Sequence, residues 1–353
     1  NPNIHLVDTL LVRAVDIVKV FAPEHGFRGD HANGDHIFDD IDPKTQLPIL
    51  SLHGNSRKPS QESLSDIDLI IFDIQDVGAR FYTYLSTLLL VMEAAAESNV
   101  EVLVLDRPNP HGHHVEGPML DPAFKSFVGW APVPVIHGMT FGELAKMAVG
   151  EGWLEGDATP RLTVIKCGGY AHSDRVMLSI APSPNLPTHI SVELYPSLCF
   201  LEPTNVSIGR GTPTPFEIAG VPIGMIPNSP AGKDPLRFTP VSMPGASPNP
   251  KHENVVCVGN DFKSKGEEWW MAGPSWDLSI LETYAHSFRN DENEITGFFT
   301  SKGFFDKLAG TDQLRLCIEK GEDLEALKAI WDKDLKQFRM DRHPYLLYPI
   351  QRN

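Results

Sequence analysis

Leu69-Ile70-Ile71-Phe72-Asp73-Ile74-Gln75-Asp76-Val77-Gly78-Ala79-Arg80-Phe81-Tyr82-Thr83-Tyr84 is the stretch on which the fold turns. Its first four residues are apolar and bounded by polar neighbours, the pattern of a short strand covered on both faces. From about Tyr82 to Ser98 the spacing becomes helical, with Leu85, Leu88, Leu89, Met92 and Ala96 on one stripe. Val100 to Leu105 then reads as a second strand. Strand, helix and strand in close succession imply a parallel sheet with helical crossovers.

Working outward, Ile17 to Phe21 and Ile49 to Leu52 are further short apolar runs of strand type, and His5 to Ala14 has helical spacing with Leu6 and Leu10 inward. Thr140 and Glu143 form a capping-box pattern ahead of Leu144, Met147 and Ala148, so another helix is expected there. The first half is thus α/β, a doubly wound, mostly parallel sheet. Beyond Pro182 the texture changes. Pro182, Pro184, Pro187, Pro196 and Pro203, then the Pro-, Gly- and Ser-rich residues 227–250, read as connections, because proline serves strand and helix interiors poorly. Leu324, Leu327, Trp331, Leu335 and Phe338 mark a helix near Asp323 to Phe338. The expected organisation is a catalytic domain over residues 1–199 and a smaller α+β domain over residues 200–353 that completes a cleft. There is no internal repeat.

The 353 residues are 41% hydrophobic and 22% charged, enough apolar material for a sizeable core. No run of roughly 18 apolar residues is present, so no membrane span is expected. Forty-six acidic against 30 basic residues, a net charge of -16, argue against a nucleic-acid partner, which needs a basic face. Cys167, Cys199, Cys257 and Cys317 are far apart in apolar surroundings and read as buried thiols rather than zinc ligands or disulfides. The chain opens on Asn1-Pro2-Asn3 without a signal-peptide pattern, as a mature or trimmed protein would, and a first strand is expected to precede it.

In a doubly wound sheet, ligands bind beyond the carboxyl ends of the strands. Three strands run into polar clusters: Ala22-Pro23-Glu24-His25-Gly26-Phe27-Arg28-Gly29-Asp30, Asp73 to Tyr84, and Asp106-Arg107-Pro108-Asn109-Pro110. Convergence on one edge would gather carboxylates, arginines, amides and aromatic rings, the set a glycosidase needs. Glu24, on a Pro- and Gly-flanked turn, is the candidate acid, because a partly apolar pocket raises a carboxyl into the range that donates protons at neutral pH. Each residue also has a plainer reading: Glu24 and His25 as a helix cap and a loop histidine, Asp73 with Arg80 and Asp106 with Arg107 as structural pairs, Tyr82 and Tyr84 as openers of the helix. Thr204 to Thr212 adds Arg210, flanked by glycines and suited to an anion or to capping a turn. Trp269, Trp270 and Trp276 suit either sugar stacking or the core. No GxGxxG, phosphate-binding loop, HExxH or GxSxG pattern occurs, and the His111, His113 and His114 tract and Asp30 to His36 read as solvated loops rather than metal sites.

At these same stretches, and at Val115-Glu116-Gly117-Pro118, Pro182 to Pro187, Thr204 to Thr212 and Phe238-Thr239-Pro240, the chain resembles the NamZ (YbbC-like) exo-β-N-acetylmuramidases, once catalogued as a domain of unknown function. The resemblance spans nearly the whole chain in order. It implies a Rossmann-like first domain, a smaller second domain, a site in the cleft between them, and hydrolysis of non-reducing-end N-acetylmuramic acid from peptidoglycan fragments. It maps the key glutamate onto Glu24. Glu202-Pro203 stands where a Glu-Gly pair is usual, and His111-Gly112-His113-His114 replaces a more Gly-rich loop.

The expectation is therefore a cofactor-independent, metal-free glycosidase. Glu24 is the acid, with Asp73 or Asp76 as the second acidic group or as the residue that orients the substrate's acetamido group. His25, Arg28, Gln75, Arg80, Tyr82, Asn109, Glu116, Asn185, Asn205 and Arg210 are candidate substrate contacts, Arg80 and Arg210 for the lactyl carboxylate. The mechanism stays open between retention, inversion and substrate assistance. The expected partner is a peptidoglycan-derived oligosaccharide and the expected location the periplasm or the cell exterior. The rival reading is a non-catalytic muropeptide-binding or sensing protein with the same cleft.

Overall fold

A computed structural model describes residues 5–23, 27, 39–54, 56–156, 159–226, 235–273 and 276–351. Helix α1 (Leu6–Val12) opens the chain, followed by strands β1 (Val20–Ala22), β2 (Asp40–Ile41) and β3 (Pro48–Ser51), helix α2 (Gln61–Leu64) and strand β4 (Leu69–Phe72). Helix α3 (Tyr84–Glu97) leads to β5 (Glu101–Leu105), the β6 (Glu116–Met119) and β7 (Pro134–Ile136) pair, helix α4 (Phe141–Gly150) and β8 (Arg161–Ile165). Helix α5 (His189–Leu198) precedes strands β9 (Ile218–Pro222), β10 (Leu236–Phe238) and β11 (Cys257–Asp261). Five helices finish the chain: α6 (Lys263–Ala272), α7 (Ser279–Ser287), α8 (Lys302–Ala309), α9 (Gln313–Lys320) and α10 (Leu324–Arg342).

The deciding stretch folds as its pattern requires. β4 and β5 are parallel, Phe72 opposite Val104, and β8 extends the sheet on the far side of β5. Val102 and Val104 are fully buried, and α3 buries Leu85, Leu88, Leu89 and Met92 between the sheet and its neighbouring helices. Burying each such side chain contributes about 1.5–3 kcal/mol. Helix α4 has the full capping box, Thr140 accepting from Glu143 N while the Glu143 carboxylate accepts from Thr140 N. Helix α10 turns Leu324, Leu327, Trp331, Leu335 and Phe338 inward, the stripe read from the sequence.

Four points differ from the sequence expectations. Among the described residues β1 and β3 pair with each other and with β2 in a small mixed sheet, separate from the β4-β5-β8 sheet. Strand β8 has no strong apolar signal because it is an edge strand, alternately exposed and half-buried. Helix α1 buries none of its residues. The proline-punctuated stretch contains α5, capped by Thr188 and Ser191, with Pro196 inside its last turn. The helix passes straight into a tighter turn at Cys199–Leu201.

The second half is α+β, with an antiparallel sheet in the order β10-β11-β9 and the helices after it. Trp276 and Trp331 stack 5.7 Å apart in its core and Trp269 is buried, so two of the three candidate sugar-stacking tryptophans are core residues. All four cysteines are free, three of them buried and Cys167 half-buried.

The tail then returns to the first half. Arg342 donates to the carbonyls of His137 and Gly138, Leu347 N donates to Glu143, and Tyr348 Oη donates to Asp106 at 2.6 Å while accepting from Cys167 N. Burial pushes the Asp106 carboxyl above its ordinary range, against the pull of the Tyr348 and Thr140 hydroxyls, so the tyrosine matters to a poorly solvated group. Replacing Tyr348 with Phe is expected to destabilise the fold by about 1–2 kcal/mol, the scale of a buried hydrogen bond whose acceptor stays behind. A chemical-denaturation midpoint equal to that of the parent would remove the tail from the stability of the first half.

Candidate active site

The polar clusters that follow β4 and β5 meet, because the parallel register sends both strands out of the same edge. Arg107 donates to Asp73 through Nε at 2.8 Å and contacts it through Nη2 at 2.6 Å. Gln75 Nε2 bonds the carbonyls of Asp76 and Pro108, each at 2.8 Å. Asn109, fully buried, donates to Met139 O and accepts from His111 N. Asp76 is 3% exposed and faces His137 Nε2 at 3.4 Å. Met139 N donates to His137 Nδ1, which leaves Nε2 as the protonated nitrogen toward that carboxylate. The Asp73–Arg107, Gln75 and Asn109 contacts latch two loops together. The ion pair of Asp73 is with Arg107, not with Arg80.

Gly78 shows how tight this junction is. Its φ is +79°, and a Cβ built there would stand 2.2 Å from Asn109 Oδ1. Gly78→Ala is expected to destabilise the protein by roughly 1–3 kcal/mol, from left-handed backbone strain together with the displaced amide. An unchanged thermal midpoint would show that the loops yield freely.

Arg80 is corrected from a candidate substrate contact to a structural clamp. It is fully buried, and its terminal nitrogens donate to the carbonyls of Pro118, Val133, Leu308 and Ala309. Burial lowers its pKa to about 9. Both terminal nitrogens are committed, so they have no role in binding a carboxylate from solution. Glu116 pairs with His114 Nδ1 at 2.9 Å, and Asn205 Nδ2 bonds Gly297 O at 2.6 Å.

A cavity of about 440 Å³ lies where the two halves of the chain meet. Tyr82 and Tyr84 enter it from the start of α3, Tyr195 from α5, Asn185 from the loop between β8 and α5, and Arg210 and Phe216 from the segment before β9. Of the sequence candidates among the described residues, Tyr82, Asn185 and Arg210 line it; Asp73, Gln75, Asp76, Arg80, Asn109, Glu116 and Asn205 do not. Glu24, His25 and Arg28 lie outside the described residues.

The wall is aromatic. Tyr82 packs edge-on to Tyr84 at 5.1 Å and to Tyr195 at 5.9 Å, and Tyr195 meets Phe216 at 5.0 Å. Tyr82 Oη donates to Pro182 O and Asn185 Nδ2 to Ala246 O, which fixes both side chains. Phe216 holds φ at +58°, strained for a bulky side chain, beneath the Arg210 guanidinium, 5.1 Å from the ring centroid.

Beside this wall sits an ion pair. Arg210 Nε and Nη2 lie 2.7 and 2.6 Å from Glu202 Oε1. Burial works against the guanidinium charge, yet the Glu202 carboxylate holds the Arg210 pKa above its ordinary value. The Glu202 backbone is anchored in turn. Lys251 Nζ donates to the carbonyls of Leu201 at 3.4 Å, Glu202 at 2.9 Å and Val206 at 2.9 Å, and also to that of Thr204. Among the described residues Glu202 is the one carboxylate lining the cavity. Sequence reading did not single out Tyr195, Phe216 or Glu202 as site residues. A Thr188–Ser191 cap was the available signal for the helix carrying Tyr195, and nothing local marks the other two.

Comparisons with known proteins bear on what this cavity does. A family profile described as exo-beta-N-acetylmuramidase NamZ, N-terminal, matches residues 1–190, and its C-terminal counterpart matches residues 193–348. The chain is 39% identical to the peptidoglycan beta-N-acetylmuramidase NamZ of Bacillus subtilis (strain 168), over 97% of this chain and 84% of that protein. Its fold is similar to crystal structures of two DUF1343 family proteins from Bacteroides fragilis NCTC 9343. One has 43% identity and a TM-score of 0.86 over 99% of this chain and 91% of its own. The other has 30% identity and a TM-score of 0.74 over 98% of this chain and 90% of its own.

Proposed function

The chain belongs to the NamZ exo-β-N-acetylmuramidase family, and from that premise we propose that it is a glycosidase that removes N-acetylmuramic acid from the non-reducing end of peptidoglycan fragments. The observation that carries the reading is the match to a peptidoglycan muramidase across both halves of the chain, with a cavity lined from both. Its volume falls in the range of small-molecule sites, and its aromatic wall suits the apolar face of a sugar ring.

Within this reading Glu24 supplies the proton to the leaving oxygen, and Arg210 pairs with the lactyl carboxylate that separates muramic acid from glucosamine. Asp73 is committed to Arg107, and both Asp73 and Asp76 lie off the cavity, which weighs against either as the second acidic group. The substrate polymer surrounds the cell, so the enzyme acts in the periplasm or outside the cell and contributes to cell-wall turnover. No helix among the described residues is long and apolar enough to cross a membrane.

The test is hydrolysis of a chromogenic N-acetylmuraminide beside the matching N-acetylglucosaminide. Release of chromophore from the first and not the second is expected. Tight binding of N-acetylmuramic acid with no turnover of either substrate would instead favour a non-catalytic binding protein.

A further inference from the structure

We propose that Glu202 and Arg210 act as one paired reader of two adjacent substituents on the sugar, with Glu202 accepting the N–H of the acetamido group at carbon 2 and Arg210 holding the lactyl carboxylate at carbon 3. The inference rests on the muramidase reading and assigns Glu202 a role that reading leaves empty.

The geometry supports it in three steps. First, both residues line the cavity, and Glu202 is its one carboxylate among the described residues. Second, the pair is half-used. Arg210 spends Nε and Nη2 on Glu202 Oε1, and no described residue accepts from Nη1 or donates to Oε2. One free donor edge and one free acceptor oxygen therefore stand side by side on groups already locked together. Third, the lock is rigid. Four carbonyls of residues 201–206 converge on the Lys251 ammonium, and Phe216 backs the guanidinium. A carboxylate held this way presents its second oxygen at a fixed place beside the guanidinium, positioned to accept a hydrogen bond.

N-acetylmuramic acid presents the complement. Its acetamido N–H and its lactyl carboxylate hang from neighbouring ring carbons, a donor beside an anion, facing an acceptor beside a cation. A sugar lacking either substituent leaves one half of the reader unpaired in a partly desolvated site, and that mismatch is the basis of discrimination.

The experiment compares two ligands in each protein: N-acetylmuramic acid and a 2-deoxy analogue that keeps the lactyl ether and has no donor at carbon 2. Calorimetric titration of the unmodified protein should show N-acetylmuramic acid binding about tenfold or more tightly than the analogue, on the scale of a hydrogen bond to a charged group. In Glu202→Gln the ratio should fall toward one, because the glutamine carbonyl is drawn to Arg210 and its amide meets the acetamido N–H donor to donor. The ratio is taken within one preparation, so a partly unfolded fraction cancels. If Glu202→Gln does not fold, Glu202→Asp, which keeps the charge but withdraws it by one methylene, should lower the same ratio. An unchanged ratio in the folding variant overturns the inference, whether both affinities fall together, as a purely structural prop for Arg210 would make them do, or neither falls. A ratio near one in the unmodified protein overturns it as well. Failure of the unmodified protein to cleave the muraminide is a separate outcome, which removes the muramidase reading itself.

Discussion

Glu24→Gln is expected to leave the fold intact and to lower kcat on a muraminide with a poor leaving group by at least about a hundredfold, the usual scale for losing a general acid. Glutamine matches the shape of glutamate and keeps a hydrogen-bond acceptor but has no acidic proton to give. The loss should shrink on a substrate whose leaving group departs without protonation, such as a nitrophenyl glycoside, because the missing function is then not needed. That dependence on the leaving group separates a lost acid from a disturbed pocket, which would slow both substrates alike. Near-parental turnover on the poor leaving group would take Glu24 out of the mechanism and send the search to the aromatic hydroxyls of the cavity, Tyr82, Tyr84 and Tyr195.

Arg210→Met should reduce kcat/KM on the muraminide at least about a hundredfold, since the substrate carboxylate would then be desolvated beside the unpaired Glu202 carboxylate. Methionine fills most of the arginine stem and keeps the contact with Phe216, so the change removes charge more than packing. The substitution should not harm a matching N-acetylglucosaminide to the same degree, because that sugar brings no anion. Selectivity between the two is the decisive measurement. A parallel fall for both sugars would identify Arg210 as a structural partner of Glu202 and no more, and the lactyl group would need another reader. Arg80 is poorly placed to be that reader, with both its terminal nitrogens engaged by backbone carbonyls.

The contrast between the two arginines shows where sequence reading stops. Arg80 and Arg210 looked alike in the sequence, each beside a glycine-containing polar stretch. The acceptors of Arg80 come from residues 118, 133, 308 and 309, and those distant contacts turn it into a clamp. No described residue accepts from Arg210 Nη1, at a cavity whose walls come from residues as far apart as Tyr82 and Asn249. The polar edge shows the same limit: Asp73, Gln75 and Asn109 converge as the parallel strands require, but their side-chain contacts are spent in joining loops.

By itself the sequence determined the parallel β4-α3-β5 unit, the Thr140–Glu143 cap and the inward stripe of α10, because each depends on side chains within a few residues of one another. It also carried the family resemblance. Only the tertiary structure decided that, among the described residues, β1 and β3 lie in a separate sheet from β4 and β5, that the tail docks Tyr348 onto Asp106, and that Glu202, not Asp73 or Asp76, faces the cavity. Those outcomes depend on which distant backbone and side-chain groups satisfy each buried donor and acceptor. A buried polar group must find a partner somewhere in the folded chain, and periodicity along the sequence carries no information about where.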